Sequence, residues 1–118
     1  MNISFRNVCA QGDLMLRRID KLPNGITPAK IENGVYVVAH SETGANHEIQ
    51  AKPNVKVFSS VDPLVSYLEV IEATDAAETL LEHLRSFDTH ETIRIPPGIF
   101  EIRRQREWVP AGWRQVAD

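Results

Sequence analysis

The chain has 118 residues, 42% of them hydrophobic and 25% charged, and a formal net charge of −3. That length suits one domain rather than two separate cores. The composition excludes a chain too polar to collapse, and the acidic balance excludes a domain whose main task is neutralising phosphates. Cys9 is the single cysteine, which excludes an intramolecular disulfide and a thiolate-held structural zinc and fits a reducing compartment.

Residues Met1–Ala10 show no basic leader ahead of a long apolar core, and no apolar run approaches the roughly 20 residues needed to span a bilayer. A cytoplasmic, non-membrane protein folding as one domain over residues 1–118 is expected. The turn signal Gln11-Gly12-Asp13 precedes Leu14–Ile19, whose apolar run predicts a first strand. Pro23, Asn24-Gly25 and Pro28 make Leu22–Asn33 an irregular connection. Gly34 is then followed by Val35-Tyr36-Val37-Val38-Ala39-His40, a β-branched run suited to a pleated, buried surface.

The turn residues Glu42–Ala45 separate that strand from His47–Gln50, which predicts a β-hairpin with a four-residue loop. Lys56–Phe58 and Ser66–Ile71 read as two further strands divided by Asp62-Pro63. Between residues 75 and 87 the period changes: Ala76, Leu80, Leu81, Leu84 and Phe87 recur at helical spacing, and Asp75 with Glu78 resembles a capping box, so one amphipathic helix is expected there. On that helix His83 reads as a solvated residue. The β pattern resumes at Glu91–Ile95, and Pro96-Pro97-Gly98 joins it to Ile99–Trp108 as a closing hairpin. The fold class expected is mainly β, a small antiparallel barrel or two-layer sheet with one helix.

Two constellations carry chemistry. With a four-residue loop, Ser41 pairs with Asn46 and His40 stands opposite His47, where Cβ atoms roughly 4.5–5.5 Å apart let both imidazoles reach one ion or substrate. Imidazole and carboxylate are ordinary ligands of zinc and similar divalent ions, so His40, His47 and His90 form a candidate metal site, with Glu42 as a further ligand or as the general base on a bound water. The bland alternative has both histidines half-exposed at a strand end, bonded to backbone or water. A thiol nucleophile at Cys9 lacks a neighbouring base, and a half-buried core residue is the simpler assignment.

The second constellation is Arg104, Arg106 and Trp108, which alternate onto one face of a single strand and could grip a phosphate and stack on a base. Charge patterning offers another role. Residues 61–91 hold eight acids and one base, whereas residues 92–118 hold five arginines and three acids, so the arginines can pair with the acidic segment, within the chain or across a homodimer. The overall negative charge favours that pairing over nucleic acid.

Three segments together, Gly12-Asp13-Leu14 with Leu22-Pro23-Asn24-Gly25, Ala39–His47, and Ile95-Pro96-Pro97-Gly98-Ile99-Phe100 running into Arg103–Trp108, resemble a family of small, uncharacterised bacterial proteins associated with phage and other mobile elements. The resemblance covers nearly the whole chain. In that family a histidine precedes the Pro-Pro-Gly turn, where His90 stands here, which implies that His40, His47 and His90 belong to one site but implies no reaction.

Three functions compete. An interaction or accessory module that self-associates, or binds another protein, through open strand edges asks least of the sequence. A metal-dependent, hydrolase-like enzyme would use the histidine hairpin. Single-stranded nucleic-acid binding would use the arginine and tryptophan face.

Overall fold

The computed structural model describes residues 3–11, 13–39, 46–72, 78–84, 89–104, 106–109 and 112–115, with the backbone alone at residues 3, 83–84, 89–91, 106–109 and 112–115. The described residues form, in chain order, the strands β1 (Ile3–Ser4), β2 (Val8–Gln11), β3 (Leu14–Ile19), β4 (Thr27–Pro28), β5 (Val35–Ala39), β6 (His47–Gln50), β7 (Val55–Ser59), β8 (Val65–Val70), β9 (Thr79–Leu84), β10 (Thr89–Ile95), β11 (Gly98–Arg104), β12 (Arg106–Val109) and β13 (Gly112–Gln115). They form a five-stranded sheet in the order β1-β10-β9-β6-β5, a six-stranded sheet in the order β2-β3-β11-β8-β7-β4, and the pair β12-β13. All pairings are antiparallel except β1 with β10. The expected mainly β architecture is present as two open sheets, not as a closed barrel.

Alternation along the strands decides what lies between the sheets. Leu14 and Leu16 of β3, Ile49 of β6, Leu68 of β8, Leu81 of β9, Ile93 of β10 and Phe100 of β11 are fully buried in one cluster. Each stabilises the fold by about 1.5–3 kcal/mol relative to an exposed side chain.

The sequence patterns fix several joints. Asn33 and Gly34 take φ of 52° and 79°, and Glu32 and Val35 exchange backbone hydrogen bonds of 2.8 and 3.0 Å across them. This is the two-residue turn with both centres left-handed that Asn-Gly favours, and it delivers the chain into β5. Between β7 and β8, Asp62 accepts the Leu64 amide at 2.9 Å, and the Ser60 hydroxyl sits between the Asp62 amide and the Asp62 and Val65 carbonyls.

Four expectations need correction. The helix over residues 75–87 is not seen: Thr79–Leu84 is a strand, while residues 73–77 and 85–88 lie outside the described residues. Thr79 and Leu81 are buried and Leu80 and Glu82 half-buried, a period of two, and β9 gains hydrogen-bonded neighbours on both edges from β6 and β10. That pairing outweighs helix preferences of a few tenths of a kcal/mol per residue. His83 accordingly belongs to a strand.

The closing hairpin is also absent, because Pro96-Pro97 carries the chain from β10 in one sheet to β11 in the other. Arg18 holds this crossover: its Nη1 donates to the Pro97 carbonyl at 3.1 Å, its Nε donates to the Arg6 carbonyl at 2.9 Å, and its guanidinium lies 4.8 Å from the Phe100 ring centre. Gly98, at φ 148°, leaves the room that this guanidinium occupies. Within the strand expected over Ile99–Trp108 the described residues form two strands, β11 in the six-stranded sheet and β12 paired with β13, and residue 105 lies outside the described residues.

The hairpin of β5 and β6 forms, but its register differs from the one expected. Tyr36 pairs with Ile49, Val37 with Glu48 and Ala39 with His47, so Val38 is an extra residue on β5. This bulge puts Ala39 where His40 was expected.

Candidate functional site: a buried polar cluster beside a pocket

Four polar residues, from three strands and a turn, meet between the sheets. Gln11 closes β2, Asp13 lies in the turn into β3, His47 opens β6 and Arg104 ends β11 opposite Leu14. Gln11, Asp13 and His47 are 4%, 2% and 1% exposed, and the Arg104 side chain is 15% exposed. Buried polar groups of this kind must satisfy one another, since water cannot.

The hydrogen bonds fix a protonation state. Gln11 Nε2 donates to the Leu81 carbonyl at 2.9 Å, which orients the amide so that Oε1 faces His47 Nδ1 at 2.9 Å. An amide oxygen only accepts, so Nδ1 carries a hydrogen. His47 Nε2 then faces Asp13 Oδ1 at 3.3 Å, and Asp13 Oδ2 lies 3.5 Å from Arg104 Nε. A proton or a metal ion between Nε2 and Oδ1 would make this contact attractive.

The sequence expectations meet this geometry unevenly. His40 and Glu42 lie outside the described residues, and His90 is described in its backbone alone. In the five-stranded sheet His47 is opposite His83, and His83 is opposite His90, so three histidines occupy one transverse row across β6, β9 and β10. At about 4.8 Å per strand, the backbones of His47 and His90 are roughly 10 Å apart. Among the described residues, no three His, Cys, Asp or Glu side chains converge as a metal site.

Arg104 does not share a strand with Arg106 and Trp108. It turns inward to Asp13, while Arg106 and Trp108 sit on β12, opposite Gln115 and Trp113. Of the arginines expected to pair with the acidic segment, Arg94 does so, with Glu78 at 3.0 Å. Arg103 instead contacts Glu101 at 3.3 Å, and Arg17 reaches the same carboxylate at 3.4 Å. Cys9 is half-buried against the core, and burial pushes its thiol up from the ordinary value, with a weaker opposing effect from a backbone hydrogen bond of Ala10.

Sequence reasoning placed His47 and Arg104 in separate sites and passed over Gln11 and Asp13, which read only as turn residues. Nothing in the local pattern distinguishes an exposed turn aspartate from one folded under a neighbouring sheet.

Arg104 also lines a pocket of about 210 Å³ between β5 and the β7–β8 hairpin. Val37, Val57 and Ile102 supply apolar walls, and Ser59 and Ser66, opposed on one rung of β7 and β8, supply hydroxyls. The polar cluster thus buttresses a residue that faces solvent-accessible space.

Among the described residues no helix is long and apolar enough to cross a membrane. No curated protein and no solved structure matches the chain. The family described as Domain of unknown function (DUF8820) matches residues 10–105, and the chain belongs to that family.

Proposed function

We propose that this protein is a binding module rather than an enzyme, and that it takes a small ligand in the pocket between β5 and the β7–β8 hairpin. The supporting observation is that wall of the pocket where a cation is held in place from behind: Arg104 reaches Asp13, which reaches His47, which is fixed by Gln11. A ligand in the pocket meets Arg104 and the serines, while the acid–base pair of His47 and Asp13 is sealed beneath them. Pockets that combine apolar walls with a few fixed polar groups are the ordinary form of a small-molecule site. Titrating a panel of metabolite-sized compounds into the full chain tests this by NMR. Amide shifts at Val37, Ser59 and Ser66 are expected, and Ser59→Trp, which fills the pocket, should abolish them. A panel that leaves these amides unmoved would count decisively against the pocket.

A second reading, a divalent metal centre, draws on the contact of His47 with Asp13. Ligand bonds of about 2.0–2.2 Å at tetrahedral angles put neighbouring donor atoms roughly 3.4 Å apart, close to the 3.3 Å of this pair. The bond from Nδ1 to Gln11 is the outer hydrogen bond that ligating imidazoles commonly make. His83 and His90, next along the row, are the further ligands this reading would require. Elemental analysis of untagged protein decides between the two cations: stoichiometric zinc, lost in His47→Ala, supports the metal, and metal-free protein of unchanged stability leaves the proton.

A further inference from the structure

We infer that Asn24 is a site of spontaneous deamidation, and that Asn33, which has the same glycine neighbour, is held unreactive by its turn. The reaction needs no enzyme. The backbone nitrogen of the next residue attacks the asparagine Cγ, the new N–Cγ bond closes a five-membered succinimide, and the side-chain nitrogen leaves as ammonia. Water then opens the ring at either carbonyl, giving aspartate or isoaspartate with no change of oxidation state. Of the six asparagines, Asn24 and Asn33 precede glycine, whereas Asn2, Asn7, Asn46 and Asn54 precede Ile3, Val8, His47 and Val55, whose side chains crowd the attacking nitrogen.

Access does not separate the two sites, but conformation does. Asn24, Gly25, Asn33 and Gly34 are all exposed, and at both glycines the space that a Cβ would take is open. Ring closure requires Cβ and the next nitrogen to eclipse each other about the Cα–C bond, which for an L-residue is a ψ outside the main allowed regions. At φ 52° Asn33 sits in the left-handed region, whose positive ψ turns Cβ almost opposite the Gly34 nitrogen, as far from attack as that bond permits. The hydrogen bonds of 2.8 and 3.0 Å between Glu32 and Val35 lock it there. Asn24 has a negative φ and is followed by Gly25 at φ 80°, the pattern of a type II turn, which leaves Cβ less far from the next nitrogen. Among the described residues no backbone hydrogen bond closes that turn, so little resists the rotation. Opening two hydrogen bonds before each attack should slow Asn33 by about tenfold or more. The product at Asn24 adds a negative charge to a pocket lined also by Asp62, Tyr67 and Arg103.

The test ages the full chain at physiological temperature in mildly alkaline buffer, with and without guanidinium chloride, and follows the exchange of NH2 for OH by mass spectrometry after tryptic digestion in mildly acidic buffer. The peptide Leu22–Lys30 carries Asn24 alone, and fragment masses locate any conversion in the peptide that begins at Ile31. In the folded chain Asn24 is expected to convert about tenfold or more faster than Asn33, and in denaturant the two rates should approach each other, because the turn is gone. Gly25→Ala should slow Asn24 several-fold and leave Asn33 unchanged, which marks the nitrogen of residue 25 as the attacking group. An Asn24 that does not convert, an Asn33 as fast as Asn24 in the folded chain, a ratio unmoved by denaturant, or an Asn24 indifferent to Gly25→Ala overturns the inference.

Discussion

Replacing Asp13 with alanine is the sharpest test of the buried cluster. Asp13 is the shared partner of two cationic or polar groups, His47 Nε2 at 3.3 Å and Arg104 Nε at 3.5 Å, in a site where His47 is 1% exposed. Removing one partner of a buried pair costs about 3–5 kcal/mol, because the other is left without compensation in a medium that cannot solvate it. Arg104 keeps 15% exposure and some hydration, which argues for the lower end, about 3 kcal/mol. For a domain near this size that corresponds to a fall of roughly 12 °C in Tm, or about 2 M in the urea midpoint at an m of about 1.5 kcal/mol/M. The contrasting variant replaces the cluster with apolar residues, Asp13→Leu/His47→Phe/Arg104→Met, and should lie within about 1 kcal/mol of the parent, since a buried ionic group and a packed apolar one are often equivalent in stability. Equilibrium urea unfolding of chelator-treated samples measures all three. A loss below about 1 kcal/mol in Asp13→Ala would refute the idea that this carboxylate holds the cluster together.

Gly98→Ala should cost about 1–3 kcal/mol, because a side chain at φ 148° is strained and its Cβ would overlap the Arg18 guanidinium; thermal unfolding measures the loss, and relief of it by Arg18→Ala would identify the overlap as its cause. Leu81→Ala, at a fully buried position of β9, should destabilise by about 2–5 kcal/mol, whereas Glu82→Ala should change stability by less than about 1 kcal/mol, and equal effects would contradict the alternation of a strand. Cys9 should react with an aromatic disulfide reagent more slowly in the folded than in the urea-unfolded protein at pH 7. Its raised folded-state pKa also makes the thiol favour folding at lower pH, an effect that is complete below the unfolded thiol value and lost as pH rises through the folded one. Self-association is best tested at β5, the longest edge strand of the two large sheets, five residues without charge or proline, whereas the edges β1 and β4 are two residues long and β2 four. Light scattering should give a molar mass above the monomer that falls in Val37→Lys.

The strands that could be read from sequence were those whose pattern is local. Leu14–Ile19 and Val35–Ala39 have apolar or β-branched runs bounded by turn residues, and both are strands over those residues. Thr79–Leu84 could not be read this way, since the adjacent leucines 80 and 81 fit a helical stripe as well as an alternating strand, and the deciding factor, pairing to β6 and β10, lies elsewhere in the chain. The crossover at Pro96-Pro97 was equally hidden, because a turn signal specifies a bend and not which sheet receives the next strand. For the site, His47 and Arg104 were singled out as reactive residue types, but their juxtaposition depends on a one-residue bulge at Val38 and on β11 lying beside β3. Neither feature has a signature within a short window. Asp13 was missed because burial of a turn residue is a property of the sheet above it.

The place of β11 has a consequence for how the chain is made. It is the strand that joins β3 to β8, and so it connects the β2-β3 pair to the β8-β7-β4 group. Until the ribosome has released residues 98–104, the two parts of that sheet have no shared neighbour, and β1 also waits for its partner near residue 93. Closure is therefore a late, long-range event, of the kind that slows β proteins and leaves strand edges exposed during synthesis. A ribosome stalled before β11 emerges should carry a protease-sensitive chain, and one stalled after it a protected chain, with the transition confined to that strand.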